Sequence, residues 1–297
     1  MRVKLLKALM LFCFALMPFF FAQAKTSVWK VSNKENVFYL GGTVHVLSAA
    51  DYPLPCEYEL AFTQADEIIF ETDIAALSAP SFALKAAQTG TYPAGTSLRD
   101  KISPETLESL NNYLNSIGLP AFALMQLKPG MLMSMIVLTE LQKQGVVSSA
   151  GVDQYFYSQA KQKQKLIGQL ESPELQLELV ANLGLGNEDI FIKYLLESMN
   201  LFQNEFGNLL DAWRTGNVDA LSKASGFDQL KNEFPTLFDD LISDRNNDWL
   251  SKIEKMAATP EVEYILVGAL HMVGEEGLLF QLAEKSYTIT QLDGCSL

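Results

Sequence analysis

Four short runs of apolar, β-branched and aromatic residues, each stopping at a polar or ionisable residue, constrain the fold of this chain most. Asn36 to Leu40 runs into Gly41 and His45, and Glu67 to Phe70 into Glu71 and Asp73; Lys165 to Leu170 runs into Glu171, and Glu263 to Val267 into Gly268 and His271. Runs of this length, separated by long helical stretches, predict an α/β fold whose central sheet has parallel strands buried under flanking helices. Ligands of such sheets gather outside the carboxyl ends of the strands. His45, Glu71, Glu171 and His271 are therefore expected on one edge of the sheet, although they lie far apart in sequence. A fifth strand is expected over Ser286 to Leu292.

The intervening sequence reads as helical. Ser103-Pro104-Glu105 and Ser172-Pro173-Glu174 each offer a capping serine, a proline suited to the first helical position and an acid for the first turn. Further helices are expected over Leu54 to Ala65, Met131 to Gln144, Val152 to Lys163 and Glu275 to Glu284. The stretch from 172 to 258 keeps helical spacing, with breaks near Gly184-Leu185-Gly186, Gly216 and Gly226, and reads as a helical insertion between the third and fourth strands. The two histidine segments resemble each other over about nine residues while their surroundings do not, which excludes a short tandem repeat and leaves a duplicated or inverted half-domain as an alternative.

Residues 1–24 have the form of a secretory signal peptide: Arg2, Lys4 and Lys7 precede an apolar run from Ala8 to Ala22, and Ala22-Gln23-Ala24 offers a cleavage site. The run is too short to span a bilayer. The expectation is a periplasmic or secreted protein with a mature chain of residues 25–297 and no stable membrane span after cleavage. The whole chain carries a net charge of −13, and losing the three leader cations leaves −16. An acidic body argues against nucleic acid or an anionic membrane surface as partner. Without Cys13 of the leader, Cys56 and Cys295 remain, and an oxidising compartment makes one disulfide between them an expectation, with two free thiols as the alternative.

The chain has only two histidines, and each follows an apolar run, a glycine and two further residues: Gly42-Thr43-Val44-His45 and Gly268-Ala269-Leu270-His271. Histidine ligates metals and moves protons near neutral pH, so its restriction to two matched strand ends points to chemistry. Each glycine lets the backbone turn and approach a bound group closely. Glu71, directly after an apolar strand, costs desolvation unless it meets a cation, a metal or hydrogen-bond donors. Glu171 shares that logic or supports the helix starting at Ser172. Arg245, in Asp244-Arg245-Asn246-Asn247, can orient a carboxylate or stabilise an oxyanion. Asp73 reads as a cap and Asp153, in Gly151-Val152-Asp153, as a helix start. His-Glu-x-x-His, Cys-x-x-Cys, Gly-x-Ser-x-Gly and a phosphate-binding glycine loop are all absent. A divalent metal in a mixed nitrogen and oxygen shell is the most economical site, and manganese, cobalt or zinc would each fit. Such a metal could activate water while Glu171 or another carboxylate moves protons.

Taken in order, Val28-Trp29-Lys30, Leu40-Gly41-Gly42-Thr43-Val44-His45, Ala65-Asp66, Phe70-Glu71-Thr72-Asp73, Gly151-Val152-Asp153, Leu170-Glu171-Ser172, Ala212-Trp213-Arg214-Thr215-Gly216-Asn217, Asp244-Arg245-Asn246 and Val267-Gly268-Ala269-Leu270-His271 resemble the TraB/GumN family, related to the Tiki metalloproteases. The resemblance covers nearly all of 25–297 and implies a single α/β domain like that of the erythromycin esterase and haem-binding ChaN groups. It also implies that both histidines and Glu71 form the functional site, with Arg245 in support. The sequence departs from the family at Thr215-Gly216-Asn217, where a glycine followed by aspartate is common, and at Ser172, where threonine is common. The expected function is an exported metal-dependent hydrolase acting on a peptide or protein. His45, Glu71 and His271 would hold the metal, Glu171 would act as acid or base, and Arg245 would steady an oxyanion. The alternative is a protein that binds or sequesters a peptide or small ligand, using the helical insertion as a groove.

Overall fold

The structure is a computed structural model that describes residues 25–33 and 36–295, so the expected signal peptide lies outside the described residues. Six strands form one sheet: β1 Val28–Asn33, β2 Asn36–Thr43, β3 Glu67–Phe70, β4 Leu166–Gln169, β5 Glu263–Gly268 and β6 Thr288–Gln291. Their order is β4-β3-β5-β2-β1-β6. The four strands expected from the ionisable run ends, β2 to β5, are the four that pair in parallel. β1 is an addition to the sequence reading. It pairs antiparallel with β2 on one side and with β6 on the other, making the sheet mixed. Its alternation is visible in the burial of Val28, Trp29 and Val31 around exposed Lys30, but it ends in no residue of chemical interest.

Period-two alternation in the central strands sends successive side chains to opposite faces. One face presents Tyr39, Ile68, Phe70, Tyr264 and Leu266 to the helices Cys56–Gln64 and Val152–Lys163, with Trp213 and Phe238 completing that core. The other presents Leu40, Ile69, Ile265 and Val267 to the helices Asp244–Met256 and Leu278–Glu284. Each fully buried large apolar side chain contributes about 1.5–3 kcal/mol, so both faces are held firmly. Gly41 is required at the centre because a Cβ there would lie 2.7 Å from the Leu266 side chain and 2.8 Å from the Tyr264 ring.

Helix signals read from the sequence act as expected. Ser103 and Ser172 each accept a hydrogen bond from the third helical N–H, and Pro104 and Pro173 occupy the first helical positions. Between β4 and β5 the chain is built of helices from Pro173 to Met256, interrupted around 183–187, at 215–217 and at Gly226. One irregularity there has no signal in the spacing: Asp239–Ser243 forms a π-helical turn that leads directly into the helix Asp244–Met256. A third, wholly helical core gathers Leu98, Leu110, Leu132, Ile136, Phe191 and Ile192.

At the chain's end, Cys56 and Cys295 stand at disulfide distance, with Cα atoms 5.8 Å apart. The buried Glu57 carboxylate accepts the Gly294 N–H at 2.8 Å beside them. Among the described residues no helix is long and apolar enough to cross a membrane.

Candidate functional site

The carboxyl ends of β2, β3, β4 and β5 deliver His45, Glu71, Glu171 and His271 to one edge of the sheet. Gly268, the last residue of β5, marks their meeting point. A Cβ built on it would lie 3.2 Å from Glu71 Oε1, 3.6 Å from His271 Cδ2 and 3.7 Å from His45 Nε2.

Glu71 is buried, and each oxygen has its own work. Oε1 accepts the Gly268 N–H at 2.6 Å, while Oε2 accepts from Arg245 Nη2 at 2.8 Å and from Gln176 Nε2 at 3.0 Å. Burial alone would raise its pKa, but Arg245, helped by the two histidines, overrides it and holds the carboxylate ionised down to about 2.

Arg245 enters from the first turn of the helix Asp244–Met256 and ties the site together. Its Nε donates to Glu171 Oε2 at 3.2 Å and its Nη2 to Glu171 Oε1 at 2.6 Å, a bidentate fork. Nη1 donates to the Leu241 carbonyl at 3.2 Å and lies 3.0 Å from His271 Nε2. The Leu241 carbonyl belongs to the π-helical turn, so the backbone irregularity directly orients the arginine. Glu171 also accepts from Trp249 Nε1 at 2.9 Å, and the Trp249 ring packs against both the guanidinium and His271.

The histidines are held in the same orientation by different partners, each with Nδ1 on a side-chain oxygen. His271 Nδ1 lies 2.7 Å from Asn246 Oδ1, and the Asn246 amide donates onward to the His271 and Glu276 carbonyls at 3.2 and 2.7 Å. With its amide so committed, Asn246 presents only its oxygen, so Nδ1 carries the proton and Nε2 the lone pair. Burial, more than Arg245, lowers the His271 pKa to about 3 and keeps the ring neutral. His45 Nδ1 lies 2.8 Å from Asp153 Oδ2, which leaves Nε2 facing the cleft. Asp153 pulls the His45 pKa up to about 9.

Gly151 explains how Asp153 arrives there. A Cβ on it would stand 2.2 Å from the His45 carbonyl oxygen, so only glycine lets the helix Val152–Lys163 start against the histidine's own backbone. Val152 N–H then donates to the Val44 carbonyl at 3.1 Å. Gly42 and Gly268 likewise serve close approach; neither has a positive φ, so the expected sharp turn at glycine is not their role.

A cavity of about 660 Å³ opens onto His45 and Glu71. Ile74 and Leu77 form one side, and Ser148, Ser149 and Gln154 bring hydroxyl and amide groups to it. Arg245, which binds Glu171 and lies 3.0 Å from His271 Nε2, reaches that lining through Glu71. Among the described residues, the three-residue group whose donor atoms all lie within 4.8 Å of one another is Cys56, Glu57 and Cys295, and its sulfurs face each other as a pair. The donors of His45, Glu71 and His271 are more widely spaced than that.

A family model described as TraB/PrgY/gumN matches residues 27–291. The chain belongs to the TraB/PrgY/gumN family. Two relatives carry the name "Uncharacterized protein YbaP": that of Escherichia coli (strain K12) is 29% identical over 246 residues, covering 81% of this chain and 86% of its own. That of Shigella flexneri is 29% identical over 245 residues, covering 81% and 85%. No solved structure matches this chain.

Within this TraB/PrgY/gumN chain, Glu71, Glu171, Arg245 and His271 come together as one hydrogen-bonded group, and His45, held by Asp153, stands beside it with Nε2 toward Gly268. Asp73 stands apart and caps the helix Ile74–Leu77 by accepting from the Ala75 and Ala76 N–H groups. Sequence reading gave no site role to Asp153, Asn246, Gln176 or Trp249. Asn246 and Trp249 carried a signal in hindsight, adjacent to Arg245 and one helical turn beyond it. Gln176 carried none, because its contact with Glu71 crosses from a helix that the sequence does not place against β3.

Proposed function

We propose that this chain is an exported metal-dependent hydrolase acting on peptide bonds, with His45, Glu71 and His271 holding a divalent manganese, cobalt or zinc ion. The observation that carries the reading is the shared orientation of the two rings. Each histidine has Nδ1 bound to a side-chain oxygen, from Asp153 or Asn246, and its Nε2 faces the end of β5 beside Glu71 Oε1. Metal-ligating histidines have this arrangement, in which an outer acceptor fixes the ring and leaves the opposite nitrogen for the ion. The charge count is consistent with it: Glu71 and Glu171 share one guanidinium, and Asp153 draws a proton onto His45 that a cation would replace. Binding requires His271 Nε2 to leave Arg245 Nη1 and the three donors to draw closer.

When bound, the ion supplies Lewis acidity and lowers the pKa of water. Arg245 is the positive group available to a developing oxyanion. Glu171 is the proposed acid or base, yet its side chain is 2% exposed and covered by Arg245. The two roles are therefore coupled: an arginine that swings from Glu171 toward substrate uncovers the carboxylate for proton transfer. Asp153 and Asn246 keep both Nε2 atoms turned to the site, and His45 would release its Nε2 proton to take up the ion. The cleft of Ile74, Leu77 and Ser148 would receive the peptide.

A single α/β domain over 25–297 with an erythromycin-esterase/ChaN-like plan, a helical insertion over about 172–258, and a periplasmic or secreted location all belong to the same proposal. The test is metal retention by the purified protein after exposure to manganese, cobalt and zinc, alongside His45→Ala and His271→Ala, followed by peptide cleavage with the retained metal. Retention lost in both variants supports the site, whereas no retention by the wild type removes the basis of the mechanism. The second reading, a protein that binds a peptide or small ligand without cleaving it, is favoured by the burial of Glu171 behind Arg245. Metal-loaded protein that returns every bound peptide intact would establish that reading over the hydrolase.

A further inference from the structure

A second cavity, about 570 Å³ in volume, shares no lining residue with the cleft beside His45. It lies in the helical segment between β4 and β5, and its shape follows from two breaks in the helices. On one side the 183–187 connection carries Gly184 and Gly186 at φ +76° and +83°, turning the chain so tightly that a Cβ on Gly184 would lie 2.4 Å from the Phe191 ring. On the other, Phe234 ends the helix Phe227–Glu233 and Pro235 starts the next, leaving a wall one turn short.

The bed of the cavity is apolar, with Leu185, Phe191 and Phe234, and Ile190 at its lip is 58% exposed. Among the described residues, its charged lining is Glu233 and Asp240, both at the surface. Nearby acids are already engaged: Glu188 accepts from Tyr92 Oη at 3.2 Å, and Asp189 pairs with Lys193 at 2.8 Å. Glu233 accepts only an amide from Gln229, and Asp240 has no hydrogen-bond or ion-pair partner among the described residues. An exposed apolar lip beside unneutralised carboxylates complements a group that is apolar and cationic at once.

We propose that this cavity is a binding site for a basic peptide segment, which inserts an apolar side chain between Ile190 and Phe234 and sets a flanking lysine or arginine against Glu233 and Asp240. Its volume falls within the range of sites that enclose side chains and small ligands. The inference stands independently of the hydrolase reading, because none of its residues belongs to the cluster around Gly268.

The experiment is fluorescence anisotropy with two labelled peptides, Lys-Lys-Leu-Phe-Lys-Lys and the same peptide with glutamate for every lysine, titrated with the purified protein. The lysine peptide is expected to bind at least about tenfold more tightly than the glutamate peptide, and to weaken as salt rises from about 0.05 to about 0.5 M. Glu233→Lys with Asp240→Lys, and separately Ile190→Ser, should each weaken it about tenfold. Phe122→Ser, at an exposed apolar side chain that lines neither cavity, should leave it unchanged. All four changed side chains are exposed, and matching urea unfolding curves would confirm that each variant folds. Equal binding of both peptides, unaltered binding to both groove variants, or an equal loss in Phe122→Ser would overturn the proposal. So would concentration-dependent dimerisation abolished by Ile190→Ser, which would make a second copy of this chain the occupant.

Discussion

Replacing Arg245 with methionine removes the one cation that faces both buried carboxylates of the site. In the wild type Glu71 has its pKa lowered from 4.5 to about 2, which at about 1.4 kcal/mol per pH unit is on the order of 3 kcal/mol near neutral pH. That contribution is present above pH 4.5 and is lost as the pH falls toward 2. Without the guanidinium, burial, the strongest influence on Glu71, acts against the charged form and moves its folded pKa above 4.5. The sign then reverses: the variant loses stability as the pH rises from 4.5 through the new value. Glu171 also loses its fork, although Trp249 Nε1 still donates to it. Breaking a buried pair by deleting one partner costs about 3–5 kcal/mol. For a chain of this size that corresponds to a fall in Tm of roughly 6 to 20 °C. The assay is urea unfolding of both proteins at pH 7 and pH 4.5 in the presence of a chelator, so that no bound cation replaces the arginine. A gap of several kcal/mol at pH 7 that narrows at pH 4.5 is expected. A gap of the same size at both values, or one under about 1 kcal/mol at pH 7, would refute the reasoning.

Three further predictions rest on the groups around this pair. Asp153→Asn should bring His45 down from about 9 toward its ordinary 6.5, read by NMR titration of the ring. In the wild type the Asp153 contact stabilises fully below pH 6.5 and is lost as the pH rises through about 9; because the His45 side chain is 62% exposed, the loss is under about 1 kcal/mol. Asn246→Ala removes the Nδ1 acceptor of His271 and should weaken manganese binding about 10- to 100-fold in calorimetry, with an unchanged affinity counting against the proposed ligand set. Cys56→Ser, which frees the carboxyl terminus, should cost about 2–5 kcal/mol in non-reducing unfolding and nothing once the wild type is reduced.

The parallel core of the fold was legible because strand period and strand chemistry coincided. β2, β3, β4 and β5 each combine a short apolar run with a residue that would be costly anywhere except at a functional edge, and the two signals marked the same positions. β1 carries only half of that. Its alternation of Trp29, Lys30 and Val31 is short, and its partners, β2 and β6, come from opposite ends of the chain. Helix boundaries stamped by local chemistry, such as Ser103-Pro104 and Ser172-Pro173, were readable within a few residues. The π-helical turn was not, since it arises from how Phe238 and Ile242 pack and from Arg245 drawing on the Leu241 carbonyl.

The same distinction separates the parts of the site that could be read from those that could not. A residue that ends a strand announces itself by its place in the pattern, as His45, Glu71 and His271 do. The groups that orient them sit on helices whose docking is decided elsewhere: Asp153 by Gly151 against the His45 carbonyl, Asn246 and Trp249 by the helix packed on Val267 and Ile265, and Gln176 by the helix after β4. Glu171 shows the consequence most sharply. Its position at the end of β4 was legible, but whether it is a proton carrier facing substrate or the anchor of Arg245 depends on where the indole and guanidinium lie, and both come from more than 70 residues away. The strand ends thus specify which ionisable groups meet, whereas the helices specify their protonation and freedom to move. Glu171 can act on a substrate proton only when the contact with Arg245 opens.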